Sequence, residues 1–349
     1  MALTLYYKIF STDATEKLFP SKKTTPNHKR RPLSLLFLHG YFASHTNMIG
    51  ILGYFRELYK QKHVHFYLID IRNHGHSPHN DNTSYEAMAE DIEAIIKLEN
   101  LHDTVLIGHS MGGKIAMTIA TRERISIKKL IIGDIAPCKY AQAHSEQHIA
   151  RLSKLRLSDF SSRSAVNEHL AQTMPNATLR NFFLKNLRHK TSFTSNSQEQ
   201  VSQPSTHFTN SQELTSQTHL ANSREPNDLT SQTSHTSQTS TEPVKMPTQS
   251  SQLYWQCNFP ILYKKRSEII KAVPPPKKPL SSYIKNLPVL FMRGETSPYL
   301  DAQAQKTLPM YFPAYILKTL PNTGHWLHYE QPEKFAQTSH AFIENRSFL

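Results

Sequence analysis

Short apolar segments alternate with amphipathic segments along most of this chain of 349 residues. Apolar runs of this length predict buried β-strands, and apolar positions spaced three and four apart predict helices between them. The predicted strands lie at residues 3–8, 34–38, 65–70, 104–107, 129–132, 289–292 and 315–320. The predicted helices lie at residues 48–59, 84–98, 112–122, 301–311 and 332–345. This alternation predicts the α/β class, with a mostly parallel central sheet flanked by helices on both faces.

The alternation stops between residues 141 and 282. Residues 146–186 keep an amphipathic helical pattern, whereas residues 190–252 consist mostly of Ser, Thr, Gln and Asn and repeat the motif Leu-Thr-Ser-Gln-Thr. A segment of this composition cannot bury enough apolar surface to offset the entropy lost on ordering. We therefore predict a core domain formed by residues 1–140 and 283–349. Residues 141–282 are predicted to form a helical cap, which carries residues 190–252 as a disordered low-complexity insert. Two explanations of the insert stay open: it is an expanded surface loop that the fold tolerates, or it is a tether that binds a partner.

The chain is basic, with a formal net charge of +13, but its Lys and Arg residues form only short runs. Nucleic-acid binders add a basic stripe interleaved with aromatic residues or a known motif, so we expect no nucleic-acid partner. The two cysteines, Cys138 and Cys257, lack metal-ligand spacing and predict a reducing compartment. No apolar stretch reaches the roughly 18 residues of a membrane span, and the N-terminus lacks a signal-peptide pattern. These features predict a cytoplasmic protein without a membrane span.

The most informative motif is G-H-S-M-G at residues 108–112, which lies between a predicted strand and a predicted helix. It matches the G-x-S-x-G nucleophile elbow, in which a serine, here Ser110, stands at a sharp strand-to-helix turn. A phosphate-binding loop also joins a strand to a helix, but its motif requires Ser or Thr after the lysine to bind magnesium. Here Ile115 follows Lys114. The sequence therefore favours a nucleophilic serine over a phosphate site.

Further residues capable of chemistry follow the ends of the predicted strands. In chain order these residues are His39 with Gly40, Asp70, Ser110 and Asp134. Ligands of a parallel sheet bind beyond the carboxyl ends of its strands. We therefore expect these side chains to lie along one edge of the sheet.

Five motifs occur in the order that is typical of the α/β-hydrolase superfamily. They are L-H-G at 38–40, D-I-R-N-H-G-H-S-P at 70–78, G-H-S-M-G-G-K at 108–114, D-I-A-P at 134–137 and G-H-W-L-H at 324–328. The chain resembles this superfamily over nearly its whole length except the insert. The R-N-H-G, Gly-Lys and D-I-x-P variants resemble the branch of the YbfF-type esterases and α/β-hydrolase domain-containing protein 11. The resemblance implies the α/β-hydrolase fold and a Ser-His-acid catalytic triad.

Chemistry calls for the same triad, because a serine hydroxyl needs an imidazole to accept its proton and an acid to orient that imidazole. His325 is the predicted base, since it follows the last core strand in the Ser–acid–His chain order of the superfamily. Many α/β-hydrolases carry the acid after the penultimate strand, but Ser297 occupies that position here. Asp134 follows the strand after the elbow helix, at a position that the resemblance to the YbfF-type branch implies for the acid, and it is the predicted acid. The alternatives are His328 for the base and Glu295 or Asp301 for the acid.

Two backbone N–H groups must stabilise the oxyanion that forms when the serine attacks a carbonyl group. Met111 is predicted to supply one of them, because it follows the nucleophile at the start of a helix. The second is expected in the loop after His39, at Tyr41, with Phe42 as the alternative. His109, beside the nucleophile, is expected to have a structural role.

Together these residues predict a carboxylesterase-like serine hydrolase that forms an acyl-enzyme on Ser110. The expected partner is a small-molecule carboxylic ester or thioester, and the mechanism calls for no cofactor and no metal ion. The alternative is a catalytically inactive protein of the same fold that acts as a ligand-binding protein or scaffold. The residues that would define acyl chain length lie in the cap, where the sequence is least informative.

Overall fold

The computed structural model describes residues 1–12, 32–141, 146–190 and 253–347. Within these residues the predicted α/β class is confirmed, since a seven-stranded, mostly parallel sheet carries helices on both faces. The predicted insert lies outside the described residues except for Lys190. The strands are β1 (Tyr7–Ser11), β2 (Leu33–Leu38), β3 (Val64–Ile69), β4 (Thr104–His109), β5 (Lys129–Gly133), β6 (Leu187–His189), β7 (Leu253–Trp255), β8 (Val289–Gly294) and β9 (Tyr315–Leu320).

The sheet has the strand order β1-β3-β2-β4-β5-β8-β9, in which only β1 runs antiparallel to its neighbour. Strands buried on both faces are apolar at successive positions, and β2 is an example. Its Leu36 and Leu38 contact one apolar layer, and its Leu35 and Phe37 contact the other. Because neighbouring strands are in parallel register, the carboxyl ends of β2, β4 and β5 meet at one edge of the sheet.

Helices α1 and α12 cover one face of the sheet, and helices α2 and α3 cover the other. Ser84 caps α2, as its position predicts, because its hydroxyl accepts a hydrogen bond from the Ala87 N–H at 3.3 Å. The helices are α1 (His45–Leu58), α2 (Tyr85–Leu98), α3 (Met111–Arg122), α4 (Glu146–Leu152), α5 (Arg163–Ala171), α6 (Ala177–Leu184), α7 (Phe259–Lys264), α8 (Ser282–Asn286), α9 (Ala302–Gln305), α10 (Leu308–Tyr311), α11 (Leu327–Glu330) and α12 (Pro332–Ile343).

Two predicted elements differ from the structure. The first strand begins at Tyr7, not at residue 3, because the N–H groups of Leu3 and Tyr6 donate to side chains of other loops and helices. The helix predicted at 301–311 is divided into α9 and α10. The Thr307 hydroxyl donates a hydrogen bond to the Ala304 carbonyl at 2.6 Å. A proline near the start of α10 has no N–H to continue the helix.

Helices α4 to α7 lie between β5 and β8 in the chain and form an apolar cluster of their own. The antiparallel pair β6–β7 belongs to this cap and was not predicted, since three-residue strands show no measurable periodicity. Phe42, from the loop after β2, inserts its side chain into the same cluster. The exact bounds of core and cap stay a prediction. In the described part of the chain, every helix is too short or too polar to cross a membrane.

Candidate active site

Ser110 stands at the turn between β4 and α3, on the strained backbone that a nucleophile elbow requires. Its dihedral angles are φ 52° and ψ −116°, which costs about 1–3 kcal/mol for a residue with a Cβ. Hydrogen bonds hold this conformation, since the Ser110 N–H donates to Gly133 O at 2.9 Å and its carbonyl accepts from the Lys114 N–H at 3.1 Å. The serine side chain is thereby presented at the edge of the sheet where β2, β4 and β5 end.

The imidazole of His325 connects the predicted nucleophile to the predicted acid. Its Nε2 lies 3.0 Å from Ser110 Oγ, and its Nδ1 lies 2.7 Å from Asp134 Oδ2. A carboxylate only accepts, so Nδ1 carries a proton and Nε2 is free to accept the serine proton. Asp134 is fully buried, whereas the His325 side chain is 15% exposed at the cavity described below. This geometry permits proton transfer from serine to imidazole.

The carboxylate of Asp134 is fixed by donors other than His325. Its Oδ1 accepts the N–H of Gly294 at 2.9 Å, and its Oδ2 also accepts a short hydrogen bond from the hydroxyl of Ser297. Ser297 is the residue that stands where many relatives of the superfamily carry the acid. The sequence motifs predict no role for Ser297, although a hydroxyl at that position can signal a contact with the acid.

The alternative acids and the alternative base have other partners. Glu295 accepts the Asn322 N–H at 2.8 Å, and Asp301 caps α9 by accepting the Ala304 N–H at 2.8 Å. His328 is buried against His109, with ring centroids 4.2 Å apart. Burial lowers the pKa of His328 to about 3, so its ring stays neutral.

Glu330, His109 and Tyr299 position the His325 loop, a role that the sequence motifs did not predict. The carboxylate of Glu330 accepts the N–H groups on both sides of His325, from Gly324 at 2.6 Å and Trp326 at 3.2 Å. His109 Nε2 donates to the His325 carbonyl at 2.7 Å, and burial keeps the His109 pKa well below its usual value. The ring of Tyr299 stacks on the imidazole with centroids 4.1 Å apart. The expected structural role of His109 is therefore specific, since it holds the main chain of the proposed base.

The two candidate oxyanion donors in the loop after β2, the N–H groups of Tyr41 and Phe42, differ in their hydrogen bonding. Phe42 donates its N–H to His74 Nε2 at 3.1 Å, so this group cannot also bind an oxyanion. Within the described part of the chain, the N–H groups of Tyr41 and Met111 have no acceptor. Both residues line the cavity that contains Ser110.

That cavity measures about 390 Å³ and lies between the core and the cap. Its walls are mainly aromatic and aliphatic, with these residues among them: Phe42, Met174, Leu179, Phe182, Phe183 and Trp326. The titratable side chains among the described lining residues are tyrosines and histidines, without Asp, Glu, Lys or Arg. Over the described ranges, no group of three His, Cys, Asp or Glu side chains is arranged to bind a metal ion. The site is therefore suited to an apolar group placed next to Ser110.

Known proteins match both the sequence and the fold. A family model described as alpha/beta hydrolase fold matches residues 34–332. The sn-1-specific diacylglycerol lipase ABHD11 of Mus musculus is 24% identical over 315 residues, which cover 89% of this chain and 80% of that protein. Esterase YbfF of Escherichia coli strain K12 is 23% identical over 318 residues, which cover 91% of this chain and 95% of that protein. The solved structure of a marine microorganism esterase is 27% identical, with a TM-score of 0.69, and covers 98% of this chain and 100% of its own.

Proposed function

The chain belongs to the α/β-hydrolase fold family, and we propose that within it the protein is a carboxylesterase-like serine hydrolase acting on small carboxylic esters or thioesters. Its relatives named as esterases and a lipase support a hydrolase that acts on esters. The observation that carries the proposal is the His325 imidazole, which bridges Ser110 Oγ at 3.0 Å and Asp134 Oδ2 at 2.7 Å.

In the proposed reaction, Ser110 Oγ attacks the acyl carbonyl carbon while its proton passes to His325 Nε2. Asp134 stabilises the imidazolium that forms, and the N–H groups of Tyr41 and Met111 stabilise the tetrahedral oxyanion. The bond to the leaving group then breaks, and the departing alkoxide or thiolate receives the proton from Nε2. Water attacks the acyl-enzyme by the same route, with His325 as base, and releases the carboxylic acid and Ser110.

The cavity supports a substrate with an apolar acyl group. Its volume of about 390 Å³ lies in the range of about 300–1,000 Å³ that is usual for small-molecule sites. A charged acyl group would lose its hydration without gaining a partner of opposite charge from the described lining residues. The two cysteines are free thiols, which supports a cytoplasmic location as part of the proposal.

The test is the reaction with a fluorophosphonate, followed by intact-mass analysis and peptide mapping. We expect one adduct on Ser110 in the wild type and none in Ser110→Ala. Asp134→Asn should react about 10³- to 10⁴-fold more slowly, because the neutral amide no longer sets the His325 tautomer. Asp301→Asn is the matched control, since Asp301 caps α9 instead of contacting His325, and should react at the wild-type rate.

Two results would contradict the proposal. A folded wild-type protein without an adduct would favour the ligand-binding alternative. An adduct whose rate falls in Asp301→Asn and not in Asp134→Asn would exclude Asp134 as the acid while retaining the serine nucleophile.

A further inference from the structure

The loop that carries Tyr41 contains a turn in an unfavourable conformation. Ala43 N–H donates to Gly40 O at 3.1 Å, so residues 40–43 form a β-turn with Tyr41 and Phe42 at its centre. Phe42 has a φ of 56°, in the left-handed region. A turn with positive φ at this position usually has glycine there, because a Cβ makes it unfavourable. The conformation therefore needs support from outside the loop.

Both backbone polar groups of Phe42 are held by side chains from other parts of the chain. Its N–H donates to His74 Nε2 at 3.1 Å, and its carbonyl accepts from Asn186 Nδ2 at 2.5 Å. If the turn relaxed to negative φ at Phe42, the peptide between Tyr41 and Phe42 would rotate, and its N–H would leave His74. The two side chains therefore act as a clamp on the turn.

The His74 side of this clamp belongs to the core and is neutral. Nε2 accepts a hydrogen bond, so the proton is on Nδ1, which donates to the Arg72 carbonyl at 2.9 Å. His74 is fully buried, and burial lowers its pKa to about 3. Nε2 consequently stays an acceptor throughout the neutral pH range.

The Asn186 side of the clamp belongs to the cap and is equally fixed. Asn186 is 3% exposed, its N–H donates to Phe183 O at 3.0 Å, and its carbonyl accepts the Gln256 N–H at 2.8 Å. The ring of Phe42 packs against those of Phe183 and Phe259, with centroids 5.9 and 5.3 Å away. The hydroxyl of Tyr41 also donates to Leu262 O, in cap helix α7.

We propose that His74 and Asn186 are positioning residues that hold the left-handed turn at Phe42 and thereby fix the position of the Tyr41 backbone, whose N–H is the proposed oxyanion donor. The inference rests on the proposed serine hydrolase function and extends it to the cap. The cap is then needed for transition-state stabilisation as well as for enclosing the acyl group. Loss of either side of the clamp should lower kcat more than it raises KM, because the affected donor binds the oxyanion and not the ground state.

The experiment uses the full-length protein, the ester p-nitrophenyl butyrate and propylboronic acid as a transition-state analogue. In that inhibitor Ser110 Oγ adds to boron, the proton passes to His325, and the tetrahedral boronate resembles the oxyanion. Asn186→Ala and His74→Leu should each lower kcat about tenfold or more, with KM changed by less than about threefold. The inhibition constant of the boronate should rise by the same factor as kcat/KM falls. His74→Gln, which keeps an acceptor near the Nε2 position, should recover most of the loss.

Matched controls are available in the same elements. Asn181→Ala alters an exposed asparagine of α6, and His79→Leu alters an exposed histidine of the loop that carries His74. Both should behave as wild type. The proposal is overturned if the clamp variants keep their kcat, or if kcat falls while boronate affinity is unchanged. If Asn186→Ala does not fold, the pair His74→Leu and His74→Gln decides alone.

Failure of this inference can be distinguished from failure of the proposed function. If wild-type protein hydrolyses the ester and Ser110→Ala does not, the serine hydrolase stands whatever the clamp variants do. If wild type and Ser110→Ala are equally inactive, the serine hydrolase itself is wrong.

Discussion

Replacement of Gly112 by alanine tests how closely α3 must approach β2 at the elbow. A Cβ at this position would lie 2.1 Å from the carbonyl oxygen of Leu38 and 2.8 Å from that of His39. Real contacts of a Cβ are essentially never shorter than 3.0 Å, so the helix and the strand must separate by about 0.9 Å. The clashing atoms belong to the backbone of a central strand, and they cannot rotate out of the way as a side chain would.

The expected damage is larger for catalysis than for stability. Overpacking of a close contact costs about 1–3 kcal/mol, which is a moderate part of a typical stability of about 5–15 kcal/mol. Leu38 leads directly into the loop of Tyr41, and Gly112 follows Met111, so the separation moves the two proposed oxyanion donors apart. Since a displacement of about 1 Å can lower a rate about 100-fold, we expect a loss of that order.

The measurements are the second-order rate constant of fluorophosphonate labelling and the free energy of unfolding in urea. Gly53→Ala is the matched control, because a Cβ at this exposed position of α1 meets nothing within 4 Å. Alanine in a helix should raise stability there by about 0.5–1 kcal/mol and leave labelling unchanged. A folded Gly112→Ala variant that labels at the wild-type rate would refute the argument.

Three further predictions follow from buried polar groups. Ser297→Ala should lower kcat about tenfold without a comparable change in KM, because Asp134 Oδ2 loses a hydrogen-bond donor. An unchanged kcat would exclude a role of Ser297 in positioning Asp134. Lys114→Met should lower the free energy of unfolding by about 2 kcal/mol, since the part-buried carbonyls of Cys138 and Lys271 lose the donor that the buried Lys114 supplies. Equal stability in urea would contradict this. Burial lowers the pKa of three histidines to about 3 or 4 in the folded protein. As the pH falls below 6.5, these histidines therefore take up protons in the unfolded state while they stay neutral in the folded state. Between about pH 6 and pH 4 the free energy of unfolding should then fall by at least about 4 kcal/mol per pH unit, since the buried His109 adds to the effect of these three. A slope near zero in urea titrations would refute this. The three histidines are His39, His74 and His328.

The sequence predicted best what depends on neighbouring positions in the chain. The strands and the larger helices of the core follow from local periodicity, and the elbow at Ser110 follows from a five-residue motif between two such elements. The choice of Asp134 over Glu295 rested on the resemblance to the YbfF-type branch and on the serine at residue 297, and the structure has His325 Nδ1 at 2.7 Å from Asp134 Oδ2. The catalytic roles of these residues stay a proposal.

The residues that the sequence did not predict act across long separations or through the backbone. Asn186 and Phe42 are 144 positions apart, and their hydrogen bond joins the Asn186 side chain to the Phe42 backbone carbonyl. Because every residue has this carbonyl, the contact does not constrain which residue stands at position 42. Glu330 accepts hydrogen bonds from N–H groups of the His325 loop that lie only six and four positions away, but any residue except proline could supply those groups. Backbone contacts of this kind can be found only once the chain is folded.

The contact between Ser297 and Asp134 gives a physical reason for the serine at this position. Ser110 and Asp134 directly follow the neighbouring strands β4 and β5, in which His109 is paired with Gly133, so a carboxylate at residue 134 lies near the proposed nucleophile. A second carboxylate at residue 297 would lie within hydrogen-bond distance of Asp134 in a buried site. Like charges at that distance raise the pKa of one carboxyl until it takes up a proton, and a proton shared by the pair would weaken the acceptor for His325 Nδ1. The hydroxyl of Ser297 instead supplies a neutral donor to Asp134 from the loop after β8.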